Sequence, residues 1–469
     1  MQFENTKIVC TIGPASSSKK TLRQLIRAGM DVARLNFSHG SHEGHKRVIR
    51  SVRTLSTELD KPVAILQDLQ GPKIRTGEFK EGRVELKKNQ EWTITTRRVK
   101  GRQGLISTTY RGIVRDLKKG DAILIDDGLI ELKVLSKDKA QLYCKVVTGG
   151  VLSEHKGINL PGVKTSIPSL TKKDKEDLKV GIEAGVDYVA ISFVRSPKDV
   201  TALKRFLKKK KVDIPVIAKI EKPQALDELE GILDACEGIM VARGDLGVEL
   251  SPEKVPVAQK RMIRMANEKR KLVITATQML ESMTDHPRPT RAETSDVANA
   301  ILDGTDAVML SAETSIGQYP VKSVRMMKKI ARETETSFPS KSSYGHKVSN
   351  FSDAISEAAC LAADNLGLKA IVAFSQSGFT AALISKYRPS VPIIACTPDE
   401  EVQRRLALHW GVNARVLPHL TDTDTMIETV EGLLLEERLA RKGDKVAILS
   451  GTPLGARGKT NMMKLHVLK

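Results

Sequence analysis

Residues 215–250, PVIAKIEKPQALDELEGILDACEGIMVARGDLGVEL, decide the fold. Two short apolar runs, Val216–Ile220 and Gly238–Ala242, each end in charged residues and flank what reads as one amphipathic helix, the pattern of a β-α-β unit. Side chains alternate along a strand, so Lys219 and Glu221 project the same way at the C-terminal edge of the first run. Asp245 reaches that edge from the second run. Gly244 and Gly247 flank it and open the next helix, where backbone N–H groups approach a ligand closely. Two carboxylates and one ammonium in a small space suit a divalent metal held by Glu221 and Asp245, with Lys219 facing an anion that the metal also binds. A salt-bridged rim would use the same residue types; the glycine-flanked aspartate favours the functional reading.

Working outward, eight strand-like runs alternate with helical patterns between residues 1 and 335. They are Lys7–Ile12, Val32–Phe37, Val63–Gln67, Tyr188–Phe193, Val216–Ile220, Gly238–Ala242, Leu272–Ala276 and Ala307–Leu310. Helical patterns such as Lys19–Ala28, Pro197–Lys211 and Pro252–Lys271 lie between them, which predicts a closed (β/α)8 barrel. Polar residues gather at the C-terminal ends of the runs, where such barrels carry their sites: Arg34, Asn36, Ser38, Asp68, Lys219, Glu221, Asp245, Thr277, Ser311 and Glu313.

One connection is anomalous. Residues 71–167 are rich in β-formers and turn residues and read as an inserted small β-barrel domain, placed to close over the site as a lid, with Gly71-Pro72 and Gly162 as hinges. The barrel then comprises residues 1–70 and 168–338. After a Ser/Pro/Lys-rich stretch, SFPSKSSYGHK, residues 339–469 resume the alternation as a separate open α/β domain.

Composition narrows the function. A content of 40% hydrophobic and 28% charged residues in 469 is that of a soluble globular protein of several domains. No apolar run is long enough to cross a bilayer and no leader opens the chain, so a cytoplasmic protein is expected. Five scattered cysteines lack metal-binding spacing and read as reduced core thiols. The net charge of +20 is spread along the chain with only 4% aromatics, which argues against nucleic acid and for phosphorylated metabolites.

Further segments carry a resemblance. They are TIGPAS (Thr11–Ser16), RLNFSHG (Arg34–Gly40), LQDLQGPKIRTG (Leu66–Gly77), ATQMLESM (Ala276–Met283) and PRPTRAETSDVANAILDGTDAVMLSAETSIGQYP (Pro287–Pro320). Together with the opening stretch they resemble the pyruvate kinase family, in the same order through the whole chain. The resemblance implies phosphoryl transfer from phosphoenolpyruvate to ADP, giving pyruvate and ATP. Glu221 and Asp245 then resemble the ligands of Mg2+, with Mn2+ as a substitute, and Lys219 and Arg34 the groups that hold the transferring phosphoryl. The N–H groups of Gly244 and Asp245, with the Thr277 hydroxyl, correspond to the substrate-carboxylate site. Thr277, Ser311 and Glu313 correspond to the proton route to the enolate, and Pro14, Asn36, His39, Arg75 and Lys156 to the nucleotide site.

Asn36, Ser38, Asp68 and the Leu69 carbonyl resemble the family's monovalent-cation site. K+-requiring members carry glutamate in their Gly-Pro-Glu-Ile-Arg motif, whereas this chain reads Gly71-Pro72-Lys73-Ile74-Arg75. The Lys73 ammonium is expected to replace K+, so that K+ is not required. In the last domain AFSQSGFTA, with Ser375, Ser377, Gly378 and Thr380, resembles the family's effector loop, and GTPLGARGKTN with Arg457 and Lys459 a second wall. A sugar phosphate or AMP is the implied effector and a homotetramer the implied assembly. A metal-dependent lyase on a similar barrel would share Glu221, Asp245 and Arg34; it would need neither the lid nor ADP.

Overall fold

The computed structural model describes residues 5–338, 350–420, 422–452 and 460–469. Each of the eight expected runs is a strand: β1 Lys7–Thr11, β2 Val32–Asn36, β3 Ala64–Asp68, β12 Tyr188–Ile191, β13 Val216–Ile220, β14 Gly238–Ala242, β15 Leu272–Ala276 and β16 Ala307–Leu310. They close into a parallel barrel in the order β1-β16-β15-β14-β13-β12-β3-β2. Nearly every residue of these strands is buried, which explains why they read as unbroken apolar runs. One set of side chains, including Val9, Leu66, Ile217, Met240 and Ile274, fills the barrel interior. The alternate set packs outward against the helices.

Two helices differ from the sequence reading. The segment between β13 and β14 is two helices, Pro223–Asp227 and Leu229–Ala235, joined at Glu228, whose φ of −98° and ψ of 14° lie off the helical values. Gly231 of the second sits so close to the neighbouring helix that an added Cβ would lie 2.7 Å from Pro197 Cγ. That seat fixes the second segment's path, and the continuous apolar pattern carries no sign of it. The helix expected over 252–271 begins with a 3-10 turn, Pro252–Lys254, and runs only over Val255–Glu268, because Arg270 turns to a φ of +57°.

The insertion holds eight strands: β4 Arg83–Leu86, β5 Glu91–Thr95, β6 Leu105–Ser107, β7 Ala122–Ile125, β8 Ile130–Lys137, β9 Gln141–Thr148, β10 Gly150–Ser153 and β11 Ile158–Asn159. A six-stranded sheet, β11-β7-β8-β9-β5-β6, and the pair β10-β4 enclose a core of their own around Trp92, Ile94, Leu132 and Val146. The chain leaves the barrel after β3 and returns to β12, and these two strands are neighbours, Asp68 facing Ala190. Gly71 (φ +66°) and Gly162 (φ +72°) stand near the two crossings, in backbone conformations that favour glycine.

The last part carries a five-stranded sheet in the order β19-β18-β17-β20-β21, formed by Val412–Val416, Ile393–Thr397, Ala370–Phe374, Lys445–Ser450 and Met462–Val467, the final strand antiparallel. It meets the N-terminal ends of the barrel strands. Asp306, wholly buried, pairs with Lys386 and Arg388; Asp187 pairs with Arg53 and Arg404; Tyr188 donates to the Arg405 carbonyl at 2.8 Å and Lys7 to the Val412 carbonyl at 2.9 Å. All five cysteines are buried and free. Among the described residues no helix is long and apolar enough to cross a membrane.

Candidate active site

The C-terminal ends of β2, β3 and β13 bring Arg34, Asp68 and Lys219 together. Lys219 Nζ lies 2.8 Å from Glu221 Oε1 and 3.3 Å from Asp68 Oδ1, and donates to Ser192 Oγ at 2.9 Å. Arg34 reaches the other Asp68 oxygen with Nη2 at 2.6 Å and Nε at 2.8 Å, and donates to Thr11 Oγ1 at 2.8 Å. Two cations thus share one buried carboxylate. Burial opposes ionisation of Asp68, but Lys219 and Arg34 outweigh it and hold the carboxyl below its usual range. Burial likewise disfavours the Lys219 ammonium; Asp68 and Glu221 overcome this and keep it firmly charged.

Glu221 is different. Burial pushes its carboxyl up and Asp245 adds to the rise, against the pull of Lys219. Its second oxygen accepts the Phe193 N–H at 2.8 Å. A buried carboxylate whose ionisation is opposed by burial and by a neighbouring carboxylate is a donor that a hard divalent ion relieves, and such an ion often takes only one or two protein carboxylates beside substrate oxygens. No group of three metal-ligating side chains occurs among the described residues. The residues present fit the ion.

Backbone strain collects here. Phe193 (φ +55°), Thr277 (φ +70°) and Gln278 (φ +53°) all adopt the left-handed region, which an aromatic or β-branched side chain seldom enters. Arg243 holds the Thr277 turn in place. It donates to the carbonyls of Thr277 (2.7 Å), Gln278 (3.1 Å) and Ala276 (3.3 Å) while pairing with Asp296 at 2.7 Å. The Thr277 hydroxyl donates to the Ala276 carbonyl at 2.5 Å and accepts the Gly244 N–H at 2.7 Å. Thr277 and Gly244 are therefore joined to each other. The Gly244 N–H nevertheless points at the threonine rather than standing free for a substrate carboxylate, because the Asp245 helix, Arg243–Glu249, starts directly beneath the Thr277 turn.

Glu313 is not directed at Thr277. Its carboxylate accepts the N–H groups of Leu280 (3.0 Å) and Ser311 (2.6 Å) and ties the loops after β15 and β16 together; burial raises its pKa. Ser311 Oγ is buried without a hydrogen-bond partner among the described residues.

Two residues of the expected nucleotide set, Arg75 and Lys156, meet at the lid edge. Arg75 bridges Gly157 in antiparallel fashion and donates to the His155 carbonyl at 2.9 Å, so Arg75 and Lys156, eighty-one positions apart, are adjacent. Lys156 pairs with Asp126 at 2.9 Å. His39 is exposed; partial burial, then Arg75 and Lys73, lower its pKa. Pro14 stands exposed in the turn after β1. Asn36 Oδ1 accepts the Ser38 N–H at 3.0 Å, and the Leu69 carbonyl accepts from Ser192 at 2.7 Å. Lys73 forms no ion pair with Asp68 among the described residues; it lines a narrow cleft with Asn159, Phe193, Lys222 and Asp245.

Residues 3–324 match the family model described as pyruvate kinase, barrel domain, and residues 353–466 that described as pyruvate kinase, alpha/beta domain. The chain belongs to the pyruvate kinase family. It is 48% identical over 473 residues to the pyruvate kinase of Staphylococcus saprophyticus and 46% identical over 472 to that of Staphylococcus epidermidis, in both cases over 99% of this chain and 81% of the relative. The crystal structure of a pyruvate kinase from Cryptosporidium parvum superposes with a TM-score of 0.93 at 37% identity, over 99% of this chain and 96% of that one. The chain is accordingly a phosphotransferase acting between phosphoenolpyruvate and ADP, and its family needs a divalent metal.

Reasoning from sequence missed Thr11, Ser192, Phe193, Lys222, Arg243 and Glu249. Ser192 and Phe193 do sit at the C-terminal end of a recognised strand, which was the available signal; the others required tertiary contacts.

Proposed function

We propose that Lys219, Arg34, Glu221 and Asp245 carry the transfer and that residues 71–167 close over them as a lid. The observation that carries this reading is the chain of charge Glu221–Lys219–Asp68–Arg34, in which each link is a contact of 3.3 Å or less. Asp68 fixes both cations on the floor of the site, so neither must reorganise as the phosphoryl group passes to ADP and negative charge develops on the enolate oxygen. Mg2+, or Mn2+ in its place, held by Glu221 and Asp245, would act as a Lewis acid on substrate oxygens. Arg75 and Lys156 neutralise the ADP phosphates, with Asn36, His39 and Pro14 along the nucleotide. Thr277 holds the substrate carboxylate with the Asp245 helix and delivers the proton to the enolate carbon by way of water near Ser311, while Glu313 braces the two loops.

Lys73 supplies the positive charge that K+ gives elsewhere in the family, so that the site of Asn36, Ser38, Asp68 and the Leu69 carbonyl needs no monovalent ion. Ser375, Ser377, Gly378 and Thr380 bind the phosphate of a sugar phosphate or AMP. Gly378, at a φ of +79°, caps the helix Phe379–Lys386, and Thr380 Oγ1 meets Thr460 Oγ1 at 2.7 Å; Arg457 and Lys459 lie outside the described residues. A cytoplasmic homotetramer completes the reading. Pyruvate formation from phosphoenolpyruvate, ADP and Mg2+ tests it: Lys219→Met lowers kcat by about 10²–10³-fold or more, and a variant within threefold of the parent would remove Lys219 from the chemistry.

A further inference from the structure

Three groups outside the charge chain connect the lid to both metal carboxylates. Lys222, next to Glu221, forms an ion pair with Glu249, the last residue of the helix that carries Asp245. Asn159, on the last lid strand, donates to the same Glu249 oxygen at 3.1 Å. The Lys222 ammonium also lies 5.8 Å from the centre of the Phe193 ring. Phe193 is the strained residue whose N–H holds Glu221, and it packs under the hinge: a Cβ on Gly71 would come within 2.9 Å of its ring. Glu249 is 8% exposed and its second oxygen has no partner among the described residues. A buried carboxylate held by one cation and one amide is sensitive to the loss of either.

We propose that Lys222, Glu249 and Asn159 form a latch through which the position of the lid sets the geometry of the metal site. Lys222 and Glu249 are positioning residues: they fix the strand end bearing Glu221 and the helix bearing Asp245 relative to each other. Asn159 brings the lid into that arrangement. When the lid swings away, Glu249 loses its amide donor, the Lys222 pair stands alone, and the two carboxylates are held less firmly at their working separation. Metal binding and lid closure thus favour each other, and by reciprocity each strengthens the other equally. This inference rests on the reading of Glu221 and Asp245 as the metal ligands.

Electron paramagnetic resonance of free Mn2+, titrated into the full chain without substrates, tests both levels separately. Glu221→Gln abolishes binding if the ligand reading holds. Lys222→Met, which keeps the apolar stem over Phe193, and Glu249→Gln each weaken Mn2+ binding about tenfold, the range seen when groups orienting metal ligands are removed, while Lys222→Arg stays within twofold of the parent. Asn159→Ala weakens binding in the same direction, and the double variant Asn159→Ala/Glu249→Gln is no weaker than Glu249→Gln alone. Loss of binding in Glu221→Gln with parental binding in Lys222→Met and Glu249→Gln overturns the latch and leaves the metal site standing. A double variant weakened by the full product of its single effects, or parental binding in Asn159→Ala, overturns the part of the lid. Should Glu249→Gln fail to fold, Lys222→Met carries the same decision. Parental binding in Glu221→Gln removes the metal reading and the latch with it.

Discussion

Asp306→Asn should loosen the seam between the barrel and the C-terminal domain, and the contacts allow its size to be worked out. Asp306 is fully buried; Lys386 and Arg388, whose side chains are 3% and 9% exposed, both rely on it, and its Oδ2 also accepts the Val273 N–H at 2.8 Å. Burial opposes the charge on Asp306, but Lys386 and Arg388 hold the carboxyl below its usual range. Burial, aided by Arg388, lowers the Lys386 ammonium to about 8 despite the carboxylate. Asparagine leaves two buried cations without a counter-charge, and breaking a buried pair costs about 3–5 kcal/mol. The penalty has a definite pH dependence. In the variant Lys386 titrates lower still, so between that value and about 8 its folded state binds fewer protons than the parent's, and its stability rises faster with pH. The penalty should therefore shrink as pH rises toward 8 and level off above it, where Lys386 is neutral in both proteins. Trp410 gives the assay, since the Arg388 guanidinium lies 4.7 Å from its ring and the other tryptophan, Trp92, sits in the lid. Urea unfolding followed by Trp410 emission, in a Trp92→Phe background, reads the seam directly. A penalty under about 1 kcal/mol at pH 7, against the scale above, or one that grows with pH, would refute this account of the seam.

Two further outcomes concern the proposed sites. Turnover of the parent should be indifferent to K+ in a buffer free of other monovalent activators, and Lys73→Glu should create a K+ requirement; an unchanged cation response would show that the Lys73 charge plays no such part. Gly378→Ala places a side chain at a φ of +79°, a strained conformation for alanine, with its Cβ 3.2 Å from Val402 Cγ1. The response of velocity to a sugar phosphate or AMP should flatten, and a full response would separate that loop from effector binding.

The barrel was legible because each of its strands is buried on both faces and therefore spells an apolar run, and because each run ends in the polar residues the site needs. Lys219 and Glu221 could be read together since strand alternation brings them to one edge, and Asp245 with them since it follows the end of the neighbouring strand. Asp68 was assigned to a cation site on motif grounds; its service as the shared counter-ion of Arg34 and Lys219 depends on β2, β3 and β13 curving round one barrel, which no local pattern encodes. Thr277 was identified, yet its strained backbone and the Arg243 clamp were not, since a positive φ in a threonine has no sequence signature. The break at Glu228 was invisible for a similar reason. Lys222 and Glu249 look like ordinary surface charges until the lid lies over them.

The adjacency of β3 and β12 also bears on how the chain assembles. Their pairing joins residues about 120 positions apart, as in the bond from the Ile65 N–H to Asp187, 122 residues on. Closing so long a loop of free chain costs roughly 2 kcal/mol more than closing one of about ten residues, at about 0.6 kcal/mol per doubling. The insertion has its own core, and its two ends already lie side by side where Arg75 bridges Gly157. An insertion that folds early thereby turns the longest strand-to-strand excursion of the barrel into a local turn, so the element that later covers the site first acts as a staple that lets the barrel close.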